Sequence, residues 1–182
     1  MQEDSLTSLL AIQGYSVSGI QQRDGSAVVV DLERSRKDYI CGSCGGGVSA
    51  AYDHTTQELH HLMLWQHQTI LRFPRYRVNC PDCGVQTEAI EFADMRGPRV
   101  TRRLARLIHE LCKVTTVKAV AALFSLHRHT VKGIDKAALQ EIQSQRPLDG
   151  VTVLGMDEIA VGKGHHYWTL ISALEGPRGP EM

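Results

Sequence analysis

Two pairs of cysteines stand out for their chemistry: Cys41 and Cys44 in CGSCGGG, and Cys80 and Cys83 in NCPDCG, each pair separated by two residues and backed by glycine. Zinc takes four soft or borderline ligands in a tetrahedron, and a two-residue gap lets both thiolates of one knuckle reach the same ion. The glycine behind each pair admits the tight turn this needs. Neither pair can close such a site alone, so together they predict a structural Zn2+ held by Cys41, Cys44, Cys80 and Cys83. A redox dithiol, or four buried thiols without metal, are the competing readings. His54, His60, His61 and His67 lie between the pairs and are expected at the surface or against phosphate. Cys112, in LARLIHELCKV, reads as a small buried hydrophobe.

A second group is acidic. In VTVLGMDEIAVGKGHHYWTLIS, Asp157 and Glu158 close an apolar run before a glycine-containing turn. A strand-borne aspartate can hold Mg2+ for phosphoryl chemistry, but only with partner acids. Taken alone, an Asp-Glu before a hairpin is an ordinary turn feature.

The third group is basic. The net charge is zero, yet residues 1–60 hold eight acids against four Lys or Arg, whereas residues 96–136 hold ten Lys or Arg against Glu110 and Asp135. A segment so unbalanced calls for a polyanionic partner, of which nucleic acid is the commonest. Arg99, Arg102, Arg103 and Arg106 share one face of a helix expected over residues 97–113, with Pro98 in its first turn and Val100, Leu104, Leu107, Ile108 and Leu111 on the other face. Downstream, VKAVAALFSLHRHTVKGIDK has the spacing of a helix-turn-helix, with Ala121 at the close approach and Ser125 where glycine is usual. That leaves His127, Arg128, His129 and Lys132 outside the apolar stripe, at the end that enters a major groove, and Arg128 is best suited to read a base edge.

The elements that must position these groups follow from pattern. LTSLLAIQ (6–13) reads as a short helix, SAVVVDLER (26–34) as a strand, residues 39–83 as small hairpins, and residues 116–124 and 127–144 as helices. Arg146 to Gly150 reads as a linker, and VTVLGMD and HYWTLISAL as two strands of one hairpin. The expected fold class is α+β and multi-modular. Its parts are an N-terminal helix and strand (1–40), a zinc ribbon-like β module (41–92), a helical helix-turn-helix module (97–146) and a hairpin (151–182). Two strands alone bury too little to be stable, so that last part is expected to be poorly ordered or to associate with another surface. No apolar run reaches the length of a membrane span and the N-terminus lacks a secretory pattern, so no membrane role and a cytoplasmic location are expected.

The order of these parts resembles the bacterial insertion-sequence transposases of the ISL-three family. CGSCG, RFPRYRVNCPDCG, TVKAVAALFSLHRHTVKGIDK and DEIAVGKGHHYWTLI carry the resemblance, which runs from about Leu9 to Ala173. It implies a DDE enzyme whose zinc and helix-turn-helix parts bind the terminal inverted repeats of double-stranded DNA, with a homo-oligomer allowed. By the same likeness Asp157 matches the first catalytic acid, and residues 151–182 match the start of an RNase H-like domain that uses Mg2+. The remaining acids are expected on later elements, whereas Glu175 and Glu181 fall in a strand end and the tail and the chain stops about 25 residues after Asp157. The resulting expectation is a truncated or partial transposase that binds DNA without cutting it. The alternatives are a zinc-containing helix-turn-helix regulator, and a zinc-stabilised interaction module or dithiol protein with no nucleic-acid role.

Overall fold

The computed structural model describes residues 2–10, 12–145, 151–162 and 164–175. The chain divides into two units, Met1–Leu139 and Gln140–Met182. The linker expected at 146–150 lies outside the described residues.

In the first unit a short helix α1 (Gln2–Leu10) precedes strands β1 (Tyr15–Arg23), β2 (Ala27–Arg34), β3 (Tyr39–Cys41), β4 (Gly47–Val48), β5 (Ala51–Leu64), β6 (His67–Cys80) and β7 (Gly84–Ala89). Helices α2 (Arg102–Cys112), α3 (Val117–Leu123) and α4 (Arg128–Ser144) follow, the last running past the unit's end at Leu139. The strands form one sheet in the order β1-β2-β6-β7-β3-β4, with β5 also paired to β6, so residues 1–40 and 41–92 share a sheet. Strand β1 adds to the expected elements, because YSVSGIQQR carries too little apolar alternation to announce itself. The small hairpins expected between the cysteine pairs are one long hairpin of two 14-residue strands.

Strand β6 is the spine of this sheet. Residues 68–72 pair in parallel with β2, residues 77–80 pair antiparallel with β7, and β5 runs along its other side. Between the two partners lies a gap at residues 73–76, and Pro74 occupies it. A proline cannot donate to a ladder, so it is tolerated where a strand has no neighbour on that side.

Two cores flank the sheet. One gathers Leu10, Ile12, Tyr15, Val30, Leu32, Leu59, Leu71 and Phe73, with Tyr15, Phe73 and Phe92 meeting edge to face at centroid distances of 5.1–5.8 Å. The other holds the helices together through Val100, Leu104, Ile108, Val120, Ala121, Phe124, Val131 and Ile134, and Leu62 and Met63 of β5 pack against it. Buried His109 of α2 reaches Asp135 of α4 at 2.8 Å and ties the outer helices. Leu107, expected on the core-facing side, is exposed, whereas His109, two residues further on, is buried.

The helix α2 starts later than the periodicity predicts. The backbone of residues 99–101 is extended beside β5, with His60 N donating to Arg99 O and Thr101 N to His60 O at 3.0 and 2.9 Å. Thr101 (φ −73°, ψ 155°) then caps the helix by accepting from Leu104 N. Pro98 therefore precedes the helix instead of occupying its first turn. His61, expected at the surface, is 4% exposed and its Nδ1 lies 2.8 Å from the hydroxyl of Thr101.

That buried histidine has a pH consequence. Burial, reinforced by the charge of Arg103, pushes the His61 imidazole down to about 4. The unfolded chain binds this proton near 6.5 and the folded chain does not, so stability is complete above about 6.5 and falls as the pH drops towards 4. The loss expected across that window is about 3 kcal/mol. Glu88 titrates with the opposite sign, its carboxyl pushed up by burial. The check is therefore urea unfolding of the parent against His61→Gln at pH 7 and pH 4.5, where the variant should show the flatter dependence. Equal slopes would remove His61 as the sensor.

The second unit contains β8 (Val153–Ala160) paired antiparallel with β9 (Tyr167–Glu175), with Met156 opposite Ile171 and Asp157 opposite Leu170. Met156, Trp168, Leu170 and Ile171 are all at least half exposed, so the hairpin has no core of its own.

Candidate metal centre and nucleic-acid interface

The cysteine knuckles are built by the sheet. Cys41 ends β3 and pairs with Glu88 of β7, while Cys80 ends β6 and pairs with Gly84 at the start of β7. Strand β7 thus brings the two knuckles together. In the first, Gly45 N donates to Cys41 O and Cys41 N to Gly46 O, closing the turn at 2.9 and 2.8 Å. Gly45 and Gly84, each one residue beyond its pair, take left-handed φ of 75° and 70°, which a side chain would strain. Gly42 has a different reason: a Cβ there would lie 2.4 Å from the carbonyl oxygen of Thr87.

All four sulfurs lie within 4.8 Å of one another, and Cys44 Sγ is 3.6 Å from Cys80 Sγ. A tetrahedron of thiolates at the zinc–sulfur bond length has edges of about 3.8 Å, so the spacing suits that ion. Charge makes the same point. Amides of Cys44 and Ser43 lower the Cys41 thiol to about 7. The amide of Gly46 also lowers Cys44, but Cys83, Cys80 and Cys41 crowd around it and push it up to about 12. Four thiolates this close repel one another unless a cation sits among them. Both pairs converge on one cluster, which is the geometry of a structural metal and not of a separate redox dithiol. No disulfide joins any of the five cysteines, and Cys112 is half-buried beside the helical core.

The basic surface is less uniform than its sequence. Arg99 lies ahead of α2 and donates to Gln57, so it does not share a helical face with the other three. Arg102 Nε donates to Glu91 O and Arg103 Nη1 to Leu10 O, both at 2.8 Å, which spends part of each guanidinium on holding the helix to its surroundings. Arg72 and Arg77 are likewise paired, to Asp31 and Glu58 and to Asp53. Arg106 is exposed and, among the described residues, has no acidic partner.

Helices α3 and α4 are joined by a short turn in which Ser125 has φ 52°, a conformation costing a non-glycine residue about 1 kcal/mol. Thr116 caps α3, and Ala121 and Phe124 are buried against Val131 and Ile134. His127 carries the start of α4, its carbonyl accepting from Thr130 N and Val131 N, and its ring stacks on His129 at 5.1 Å. Arg128 and, one turn further on, Lys132 project from the start of α4, exposed and without an acidic partner among the described residues. His60 is half-buried, His67 is partly covered, and His54 lies against Tyr76.

Asp157 is exposed on β8 and its Oδ1 accepts from Glu158 N at 2.8 Å. Among the described residues it gathers no second acid. Two groups escaped the sequence reading altogether: the buried Arg34–Glu88 pair and Trp65, whose neighbours only the three-dimensional pairing reveals.

Comparison with known proteins agrees with this geometry. Residues 39–83 match a family described as the zinc-finger of transposase IS204/IS1001/IS1096/IS1165. Over 169 residues, 91% of the chain, the sequence is 32% identical to the transposase for insertion sequence element IS1001 of Bordetella parapertussis. The chain spans 41% of that relative's length. No solved structure matches it. No helix among the described residues is long and apolar enough to cross a membrane.

Proposed function

This chain is related over most of its length to the insertion-sequence transposases of the ISL-three family, and from that premise we propose that it is the DNA-binding portion of such an enzyme. The observation that carries the reading is the pair Arg128 and Lys132, exposed and without an acidic partner among the described residues, one turn apart at the start of a helix whose preceding partner, α3, packs against it. In this reading α3 and α4 form a helix-turn-helix, and the first turn of α4 enters the major groove of a terminal inverted repeat. Arg128 reads a base edge bidentately, whereas Lys132, His129 and Arg106 meet phosphates. Arg102 and Arg103 keep their free guanidinium nitrogens for the backbone, and Arg99 extends the same cationic surface.

Cys41, Cys44, Cys80 and Cys83 would hold zinc as a structural ion. It supplies no chemistry to DNA there; the sheet residues around it set the position of the hairpin on which the helical layer rests. Asp157 stands as the first acid of the catalytic set that the relationship implies, where Mg2+ supports DNA cleavage and joining when further acids complete the site.

Affinity for duplex DNA measured from about 50 to 200 mM salt tests this reading, because each phosphate contact contributes about 0.9 to the log–log slope. The double variant Arg128→Glu/Lys132→Glu should weaken binding at least tenfold and flatten that slope by about two. Salt-independent binding by the parent would remove DNA as the partner. An unchanged variant would leave DNA binding intact and displace α4 as its reader.

A further inference from the structure

Trp65 sits at the tip of the β5–β6 hairpin, 88% exposed, with φ 53°. Both facts run against folding economy. A large aromatic in water leaves its burial free energy unused, and the left-handed region disfavours any residue with a Cβ. The ladder shifts register between His61 and Leu64 and closes again at the tip, where Leu64 pairs with His67 and Leu64 N donates to the hydroxyl of Thr69 at 3.1 Å. Glycine or asparagine would suit this turn better. A strained, exposed tryptophan on an ordered turn is a device for contact.

The tip is also held in place. Leu62 and Met63 on one strand pack against the helical core, and Gln68 on the other donates through Nε2 to the carbonyl of Leu123 at 2.7 Å. Leu123 is the last residue of α3, immediately before the turn into α4. The hairpin tip is therefore tied to the end of α3, from which a short turn leads into the helix that carries Arg128 and Lys132.

We propose that Trp65 is a base-stacking wedge that engages the DNA duplex next to the α4 contact. Its indole offers a flat π-face, which every base can meet without hydrogen-bond readout, and side chains of this kind unstack base steps where protein surface follows the groove. Phosphate contacts from the basic segment position the duplex; the ring supplies a salt-insensitive increment. This assignment rests on the DNA-binding reading above and adds a residue outside the helices to it.

Trp65 and Trp168 are the two tryptophans of the chain, so Trp168→Phe makes Trp65 the sole indole reporter. In the full chain with that substitution, Trp65 emission is expected to be quenched on titration with a short mixed-sequence duplex at low salt. Trp65→Gly should lower duplex affinity about tenfold with the salt slope unchanged, and Trp65→Phe should recover part of the loss. Glycine removes the positive-φ strain, so the same variant should melt no lower than the parent, which separates the contact from a structural role. Unmoved emission at saturating duplex, or parent-like affinity in Trp65→Gly, would overturn the wedge while leaving DNA binding in place. A change in emission with protein concentration alone would give the tip to a contact between copies and also overturn it. Absence of duplex binding by the parent would end both readings.

Discussion

Chelating zinc from the protein is expected to unfold residues 39–48 first and to destabilise the whole first unit. Strand β3 has three residues and pairs with β4 at two positions and with β7 at two. So few backbone bonds do not hold a ten-residue loop against its conformational entropy, which costs about 1 kcal/mol or more per ordered residue. Tyr39 adds packing on Tyr76 and Arg34 and Gly42 N donates to Thr87 O, but the loop from Ser43 on depends on the ion, which Cys41 and Cys44 would share with Cys80 and Cys83 at the far end of β6. Structural zinc in small peptides contributes about 10–16 kcal/mol at neutral pH, as much as a whole domain's net stability. Part of that is recovered here because β1, β2, β5 and β6 keep their own core around Leu71 and Phe73. Hydrogen exchange should show protection lost at Tyr39–Cys41 and Gly47–Val48 in the chelated protein while Ile70–Phe73 stays protected. Cys80→Ser should reproduce the loss, and added zinc should not rescue it. A metal-free protein with full protection at β3 would refute a structural role for the ion.

How far the sequence discloses this molecule follows from the range of each signal. The cysteine knuckles are local: ligand type, two-residue gap and trailing glycine all lie within five residues, and the structure brings all four sulfurs together. The helices of residues 102–144 are similarly legible, because amphipathic periodicity repeats over several turns. What escapes is set by pairing between distant segments. The extended backbone of residues 99–101 is imposed by His60 forty residues earlier, and it moves Arg99 off the helix that its spacing alone suggests. His61 reads as a surface histidine until Thr101 closes over it. The long β5–β6 hairpin hides in AYDHTTQELHHLML because its outer half is exposed on both faces and so lacks the alternation that marks a half-buried strand. The assembly of β1 and β2 into the same sheet as the cysteine strands depends on a parallel pairing that no local pattern encodes.

Glu88→Ala is expected to be among the most damaging single substitutions outside the cysteines. Its side chain is fully buried, and Arg34 Nη2 lies 2.9 Å from its Oε2, close enough for an ion pair though off the line of a directed hydrogen bond. The reason a charge is buried there lies in the gap at the middle of β6. Tyr76 N points out of the ladder on the side where β2 has ended and β7 has not begun, and Glu88 Oε1 accepts from it at 2.9 Å. Position 74 shares that side and needs no acceptor, being proline. Arg34 completes the plug: Nη1 donates to the hydroxyl of Tyr15 at 2.9 Å, Nη2 to Asp38 O at 2.8 Å, and the guanidinium lies 4.9 and 5.0 Å from the ring centroids of Tyr15 and Tyr39. One carboxylate thus joins β2, β6 and β7 beside Cys41, its partner in the β3–β7 register. Removing it leaves a largely buried guanidinium and an orphaned amide, a loss of about 3–5 kcal/mol. Glu88→Gln keeps an acceptor for Tyr76 N and should cost less. Replacing both partners, in Arg34→Met/Glu88→Leu, removes the unpaired charge but still strands the amide, so about 1–3 kcal/mol should remain. Urea unfolding of the parent, Arg34→Met, Glu88→Leu and the double variant, with zinc present, gives the cycle. Additive losses from Arg34→Met and Glu88→Leu would mean that the two side chains act independently, and the gap in β6 would then need another explanation for its stability.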